Sequence, residues 1–231
     1  MDNPEFGRER VFWSYEDLAL FIGSVAPCLA IAALLMRLFR FPAQGVQTMA
    51  FELCFYLLLL GTLYLLIAAR HHRPFWRSLG WTLVPGALLC LLLGPVLAIG
   101  LGALGAALRA PEETAIQDLV TSRLSLIVVG IFGAILGPAF EEIVFRGFLQ
   151  PLFARSLGHW PGILLAAAPF ALLHGPQNHW SWQSIVIIFL AGIIFGVARW
   201  RTGSTLASAL IHAGYNTTLF AVFIAQSWST V

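Results

Sequence analysis

Polar and apolar positions in this chain alternate in long blocks rather than with the short period of a soluble helix or strand. Apolar runs of about 20 residues recur between short polar connectors, the length a helix needs to cross a bilayer. Seven spans are predicted, over 18–39, 48–69, 81–107, 124–150, 161–176, 184–199 and 204–226. The third is long, and Gly94-Pro95 could kink or divide it, which would make eight segments. Connectors read as Arg70-His71-His72-Arg73, Arg109 to Arg123, and Arg199-Trp200-Arg201. His71, His72 and His179 fall in connectors and are expected to be solvated. No internal repeat or low-complexity linker appears. The expected architecture is therefore an all-α polytopic membrane helix bundle of about seven to eight transmembrane helices. Residues 1–123 would supply N-terminal helices and connectors, and 124–231 the chemically distinctive ones, within one integral domain.

Composition agrees with that pattern. Of 231 residues, 59% are hydrophobic and 10% charged, against about 25% charged in a soluble domain. Mean hydropathy is +0.84. A net charge of +2 gives no reason to expect nucleic acid. The lipid bilayer is the expected partner, and the oligomeric state is left open. The segment MDNPEFGRERVFW lacks a basic stretch leading into a short apolar core, so no removable signal peptide is expected. All 13 basic residues are arginine, a hint of a bacterial cell membrane. With the N-terminus cytoplasmic, nine arginines fall inside (Arg8, Arg10, Arg70, Arg73, Arg77, Arg146, Arg155, Arg199, Arg201) and four outside (Arg37, Arg40, Arg109, Arg123), following the positive-inside rule. Cys28, Cys54 and Cys90 have no paired spacing and read as small buried side chains. Trp180 and Trp182 suit an interfacial belt, and Gly192 with Gly196 forms a small-residue pair fit for close helix packing.

Against this background Glu141-Glu142-Ile143-Val144-Phe145-Arg146 stands out, since the run from Leu124 holds no charge before it. An ionisable group at membrane depth is costly and marks a candidate functional site. Gly158 ends a helix in a plausible tight connection. A hairpin folded about residue 157 or 158 sets Glu141 and His174 at one depth, each about 25 Å from the turn. Glu142 and Arg146 are four apart, in the favourable order for an ion pair, and so are His212 and Asn216 on the last span. Glu141 projects about 100° from Glu142 and is left free.

These residues could form a hydrolytic site. Glu141 would be a general base acting on water, His174 would orient that water or pass a proton to the leaving amine, and His212 with Asn216 would stabilise an oxyanion. No serine or cysteine is placed by a motif to act as a nucleophile. Glu52 reads as an interfacial charge or the partner of a nearby arginine. Phe170 and Phe145 read as packing residues or walls of the site.

Glu141-Glu142-x-x-x-Arg146, Phe170-x-x-x-His174 and His212-x-x-x-Asn216 resemble, in order and spacing, the three motifs of the CPBP intramembrane proteases. That family includes CAAX prenyl endopeptidases and proteins of bacteriocin processing and self-immunity. The resemblance covers about residues 124–224 and implies hydrolysis of a peptide bond, in or near the bilayer, in a peptide or lipidated-protein substrate. Catalytic residues would be Glu141, His174, His212 and Asn216, supported by Glu142, Arg146 and Phe170. The family is often labelled metalloprotease, and Glu141, His174 and His212 would suffice as zinc ligands. HExxH is absent, however, and a metal-free mechanism with no cofactor is the reading preferred here. Two other functions compete: a proton-coupled transporter, which also places Glu, His and Arg at mid-membrane, and a non-catalytic immunity or scaffold protein. The missing repeat argues against a carrier.

Overall fold

A computed structural model describes residues 11–111 and 114–227, so Arg8 and Arg10 lie outside the described residues. Every regular element among them is helical: α1 (Tyr15–Met36), α2 (Gln44–Arg70), the short α3 (Phe75–Ser78), α4 (Ala87–Leu108), α5 (Arg123–Leu157), α6 (His159–Leu173), α7 (Trp182–Thr202) and α8 (Thr205–Ser227). Six of these (α1, α2, α4, α5, α7 and α8) are long and apolar enough to cross a bilayer. The protein is thus a multi-pass integral membrane protein. The apolar spacing that predicts the spans also explains why so many large side chains face outward, among them Ile22, Leu34, Leu88, Ile99 and Leu173. In lipid an outward leucine carries no penalty, and the backbone satisfies itself within each helix.

Two expectations about length change. Pro95 sits inside α4 without dividing it, so Gly94-Pro95 creates no eighth span. The fifth predicted span becomes α6, only 15 residues long, or about 22 Å against a hydrocarbon core of about 30 Å. Its end is followed by a connection through residues 174–181 that holds only one short 3-10 turn, Pro176–Asn178. That backbone finds partners in the protein: the Asn178 amide donates to His174 O at 2.9 Å, and Ala115 N–H donates to Gln177 O at 2.9 Å. The turn before α6 falls at Gly158, whose φ of +93° favours glycine.

The helix that carries the acidic pair is also the most irregular, although α2 too ends in a π segment, Leu65–Arg70. α5 runs for 35 residues and widens into π turns at Phe132–Leu136 and Ile143–Leu149. Such turns leave carbonyls without their usual partner and often mark functional sites. One of these carbonyls, Phe148 O, accepts from Trp13 Nε1 at 3.1 Å, while the two rings stack. Trp13, just before α1, is therefore docked on the second half of the molecule. Nearby, Asp17 is fully buried and lies 3.0 Å from His71 Nε2, with Arg70 bridging to Glu16 at 2.9 Å. His71 is thus a structural partner of α1 rather than a solvated connector residue.

α4 and α8 cross with backbones in near contact. A Cβ added at Gly214 would lie 2.2 Å from Leu91 O, and one at Gly94 would lie 2.3 Å from Tyr215 N. Neither neighbour is a flexible side chain, so the clash can be relieved only by separating the helices. Gly214→Val should accordingly lower the thermal unfolding midpoint in detergent by several degrees, for a cost of about 1–3 kcal/mol or more. Gly100→Ala meets nothing within 4 Å and should be neutral or stabilising, by up to about 1 kcal/mol. Equal midpoints for the two variants would refute this account of the crossing.

Candidate active site

Glu142 and Arg146 are completely buried, and every polar contact they make joins another helix or their own. Arg146 Nη1 donates to Glu142 Oε1 at 2.8 Å, and its Nη2 donates to Gly192 O on α7 at 2.9 Å. The guanidinium lies over the Phe170 ring at 4.3 Å, with Phe195 at 5.4 Å, which supplies cation–π attraction where solvent is absent. On the other side of the pair, Ser208 Oγ donates to Glu142 Oε2, and His212 Nδ1 donates to Glu142 Oε1 at 3.0 Å. A single ion pair therefore gathers α5, α7 and α8.

The small residues of α7 make this possible. A Cβ at Gly192 would lie 3.2 Å from Arg146 Nη2 and 3.1 Å from the Ala167 Cβ. One turn on, Gly196 repeats the arrangement: Gln150 Nε2 donates to Gly196 O at 2.9 Å, and a Cβ there would lie 2.8 Å from Ile163. The Gly192/Gly196 pair thus serves two purposes, close packing of α6 on α7 and exposure of two carbonyls to side chains of α5.

Glu141 points elsewhere. Its Oε2 lies 3.9 Å from His174 Nε2 and 3.8 Å from His212 Nε2, and its Oε1 accepts from Tyr56 Oη at 3.5 Å. The side chains of Glu141 and His174 are 18% and 19% exposed, against 0% for Glu142, so the first carboxylate is reachable and the second is sealed. The α5–α6 hairpin brings Glu141 and His174 together despite 33 residues of separation.

Hydrogen-bond partners set the polarity of both imidazoles. His174 Nδ1 is 2.7 Å from Phe170 O; a carbonyl only accepts, so Nδ1 carries the hydrogen. His212 Nδ1 likewise donates to the carboxylate held by Arg146. In their neutral forms both rings therefore turn an acceptor lone pair at Nε2 toward Glu141 Oε2. Neutral His212 offers no N–H to the cavity, which differs from the donor role expected for it. Asn216 also departs from expectation: its Nδ2 donates to Gly133 O at 2.7 Å, tying α8 to the first π turn of α5.

Three other residues went unnoticed in the sequence. Ser208 lies one turn before His212 on the same face of α8, a spacing that could have signalled it. Phe195 stacks on His212 with centroids 4.4 Å apart, fixing the ring plane. Tyr56 comes from α2, and Glu52 lies one turn before it, within electrostatic reach of Glu141. Glu52 therefore faces another acid rather than an arginine.

As zinc ligands, Glu141, His174 and His212 are of suitable donor type. Among the described residues, however, no three histidine, cysteine, aspartate or glutamate side chains are grouped closely enough to hold a metal ion.

Comparison with known proteins places the same residues in a family context. Residues 123–218 match the family described as Type II CAAX prenyl endopeptidase Rce1-like. This Rce1-like region carries all three motifs, in agreement with the resemblance to the CPBP proteases. The matched family is described as one of endopeptidases. The chain is also similar to a curated Escherichia coli protein, an uncharacterised 24.3 kDa protein. It is 31% identical over 123 residues, covering 51% of this chain and 55% of that protein. The chain thus spans about half the length of the curated relative it matches. No solved structure matches it.

The buried pair makes a direct prediction. Arg146→Met leaves Glu142 sealed and unpaired, at a cost of about 3–5 kcal/mol, and should lower the unfolding midpoint by on the order of 10 °C. Arg146→Lys should recover little, because an ammonium cannot reproduce the fork between Glu142 and Gly192 O. Thermal unfolding of purified protein in detergent measures both, and a wild-type midpoint for either would contradict this role.

Proposed function

We propose that the protein is an intramembrane endopeptidase that cleaves a membrane-associated or lipidated peptide with water activated by Glu141 and its two histidines. The supporting observation is the convergence of Glu141 Oε2 with Nε2 of His174 and of His212, three acceptors around one reachable point. A water there can donate a hydrogen to the carboxylate and another to an imidazole, leaving its lone pair directed at a substrate carbonyl. As the water oxygen attacks the carbonyl carbon, a proton passes to Glu141 and the C=O electrons move to oxygen. The second amide hydrogen of Asn216 would donate to that oxyanion. His212 joins it as a donor when it shares that proton with Glu141, its Nε2 then becoming N–H. His174 passes the proton from Glu141 to the amine nitrogen, the C–N bond breaks, and a carboxylic acid and an amine leave.

No step here calls on a metal or a covalent enzyme intermediate. For substrate class, the matched family's description suggests a prenylated C-terminal tail, and a leader peptide or membrane-protein tail is the alternative for a bacterial cell. The decisive assay gives purified protein a farnesylated CAAX-type peptide and an unlipidated leader-type peptide, with and without chelator. Cleavage of one, unaffected by chelator, is the expected result. Loss of cleavage with chelator and its return with zinc would overturn the metal-free mechanism.

In the same assay Glu141→Gln and His174→Ala should each abolish cleavage while the protein stays folded and membrane-inserted. Normal cleavage by both would refute the mechanism. Asn216→Ala should lower kcat by on the order of 100-fold with less effect on KM. A fall in stability with kcat unchanged would instead leave Asn216 as a helix–helix tie to Gly133.

A further inference from the structure

Glu141 needs more than two histidines if it is to act on water, because a carboxylate is free to rotate about its last bond. Its Oε2 faces acceptors, which repel it and cannot hold it in place. The hydrogen bond to the group comes to its other oxygen, a long one from the Tyr56 phenol at 3.5 Å. Tyr56 is itself tightly seated. Its ring lies nearly parallel to Phe132, with centroids 5.8 Å apart, and against Phe140 at 5.2 Å. Both phenylalanines belong to α5, one inside the first π turn and the other beside Glu141. The aromatic seat therefore registers α2 on the helix that carries the carboxylate, and the phenol is directed by packing rather than by a free side-chain torsion.

From this geometry we infer that Tyr56 is a positioning residue of the active site, holding Glu141 by Oε1 so that Oε2 faces the two imidazoles. The assignment rests on the endopeptidase reading for its effect on rate, but not for its effect on Glu141 itself. It also makes the working site larger than the matched region, since Tyr56 lies outside residues 123–218. Glu52, one turn earlier on the same face of α2, is a second carboxyl group within electrostatic reach of Glu141.

Tyr56→Phe tests this in the full chain, since it keeps both ring contacts and removes only the phenolic oxygen. With the peptide that the wild type cleaves faster, the variant should show kcat lowered about tenfold, the value of one hydrogen bond to a charged group, and KM within about twofold. Its unfolding midpoint should match the wild type. A second measurement needs no substrate: the rate at which dicyclohexylcarbodiimide, a membrane-permeant carboxyl reagent, labels Glu141, read by peptide mass spectrometry. With Oε1 no longer covered, Glu141 in Tyr56→Phe should be labelled several times faster. An unchanged labelling rate overturns the positioning role whatever the activity, and so does an unchanged kcat when Glu141→Gln is inactive beside it. Faster labelling in a protein that cleaves neither peptide would uphold the contact and remove the endopeptidase reading instead.

Discussion

A charge that cannot leave the protein interior organises everything around it. Glu142 is sealed, so it must be neutralised and fully hydrogen-bonded, and Arg146, Ser208 and His212 meet that demand from two helices. Arg146 has the same problem and meets most of it with Glu142, Gly192 O and the Phe170 face, while its Nε is left without a hydrogen-bond partner. Each solution fixes a helix: α7 through its carbonyl, α8 through Ser208 and His212, α6 through Phe170. A pair of this kind contributes little net stability on its own, but its loss is severe because the remaining charge has no solvent to turn to. Its value here is positional. His212 stands in line with Glu141 because its other nitrogen is held by Glu142.

The adjacent carboxylates thus differ by environment rather than by chemistry. One residue of helix, about 100° of rotation, separates a sealed structural acid from a reachable one. The π turns on either side of the pair make that rotation usable. They free carbonyls for Trp13 and Asn216, so Trp13 just before α1 and the middle of α8 are both anchored on the irregular helix. The second half of the molecule alone therefore does not account for the geometry of its own site.

How much of this was legible in the sequence follows from the range of the interactions. Apolar blocks gave the spans, because composition alone decides whether a helix can lie in lipid. The i, i+4 spacing gave the Glu142–Arg146 pair and the shared face of His212 and Asn216. Antiparallel depth about Gly158 brought Glu141 and His174 together. Contacts between distant helices left no such trace. Tyr56 has no periodic relation to Glu141, Asp17 none to His71, and Trp13 none to Phe148. The shortness of α6 was also hidden, since apolar residues continue to the end of that helix. Asn216 shows a different limit: the residue was found, but only the packed structure reveals that one amide hydrogen is committed to Gly133 O.

The tautomers of the two histidines have one more consequence. At rest, the point enclosed by Glu141, His174 and His212 is ringed by lone pairs, and a planar amide carbonyl gains almost nothing by approaching it. In the proposed reaction an imidazole N–H directed inward arises only when the proton that Glu141 takes from water is shared with a ring nitrogen, at the stage when negative charge is building on the substrate oxygen. A centre of this polarity has low affinity for what enters and high affinity for what forms partway through, so little of its interaction energy is spent on the resting complex. Selectivity for the altered state is thus written into which nitrogen of each ring faces the protein.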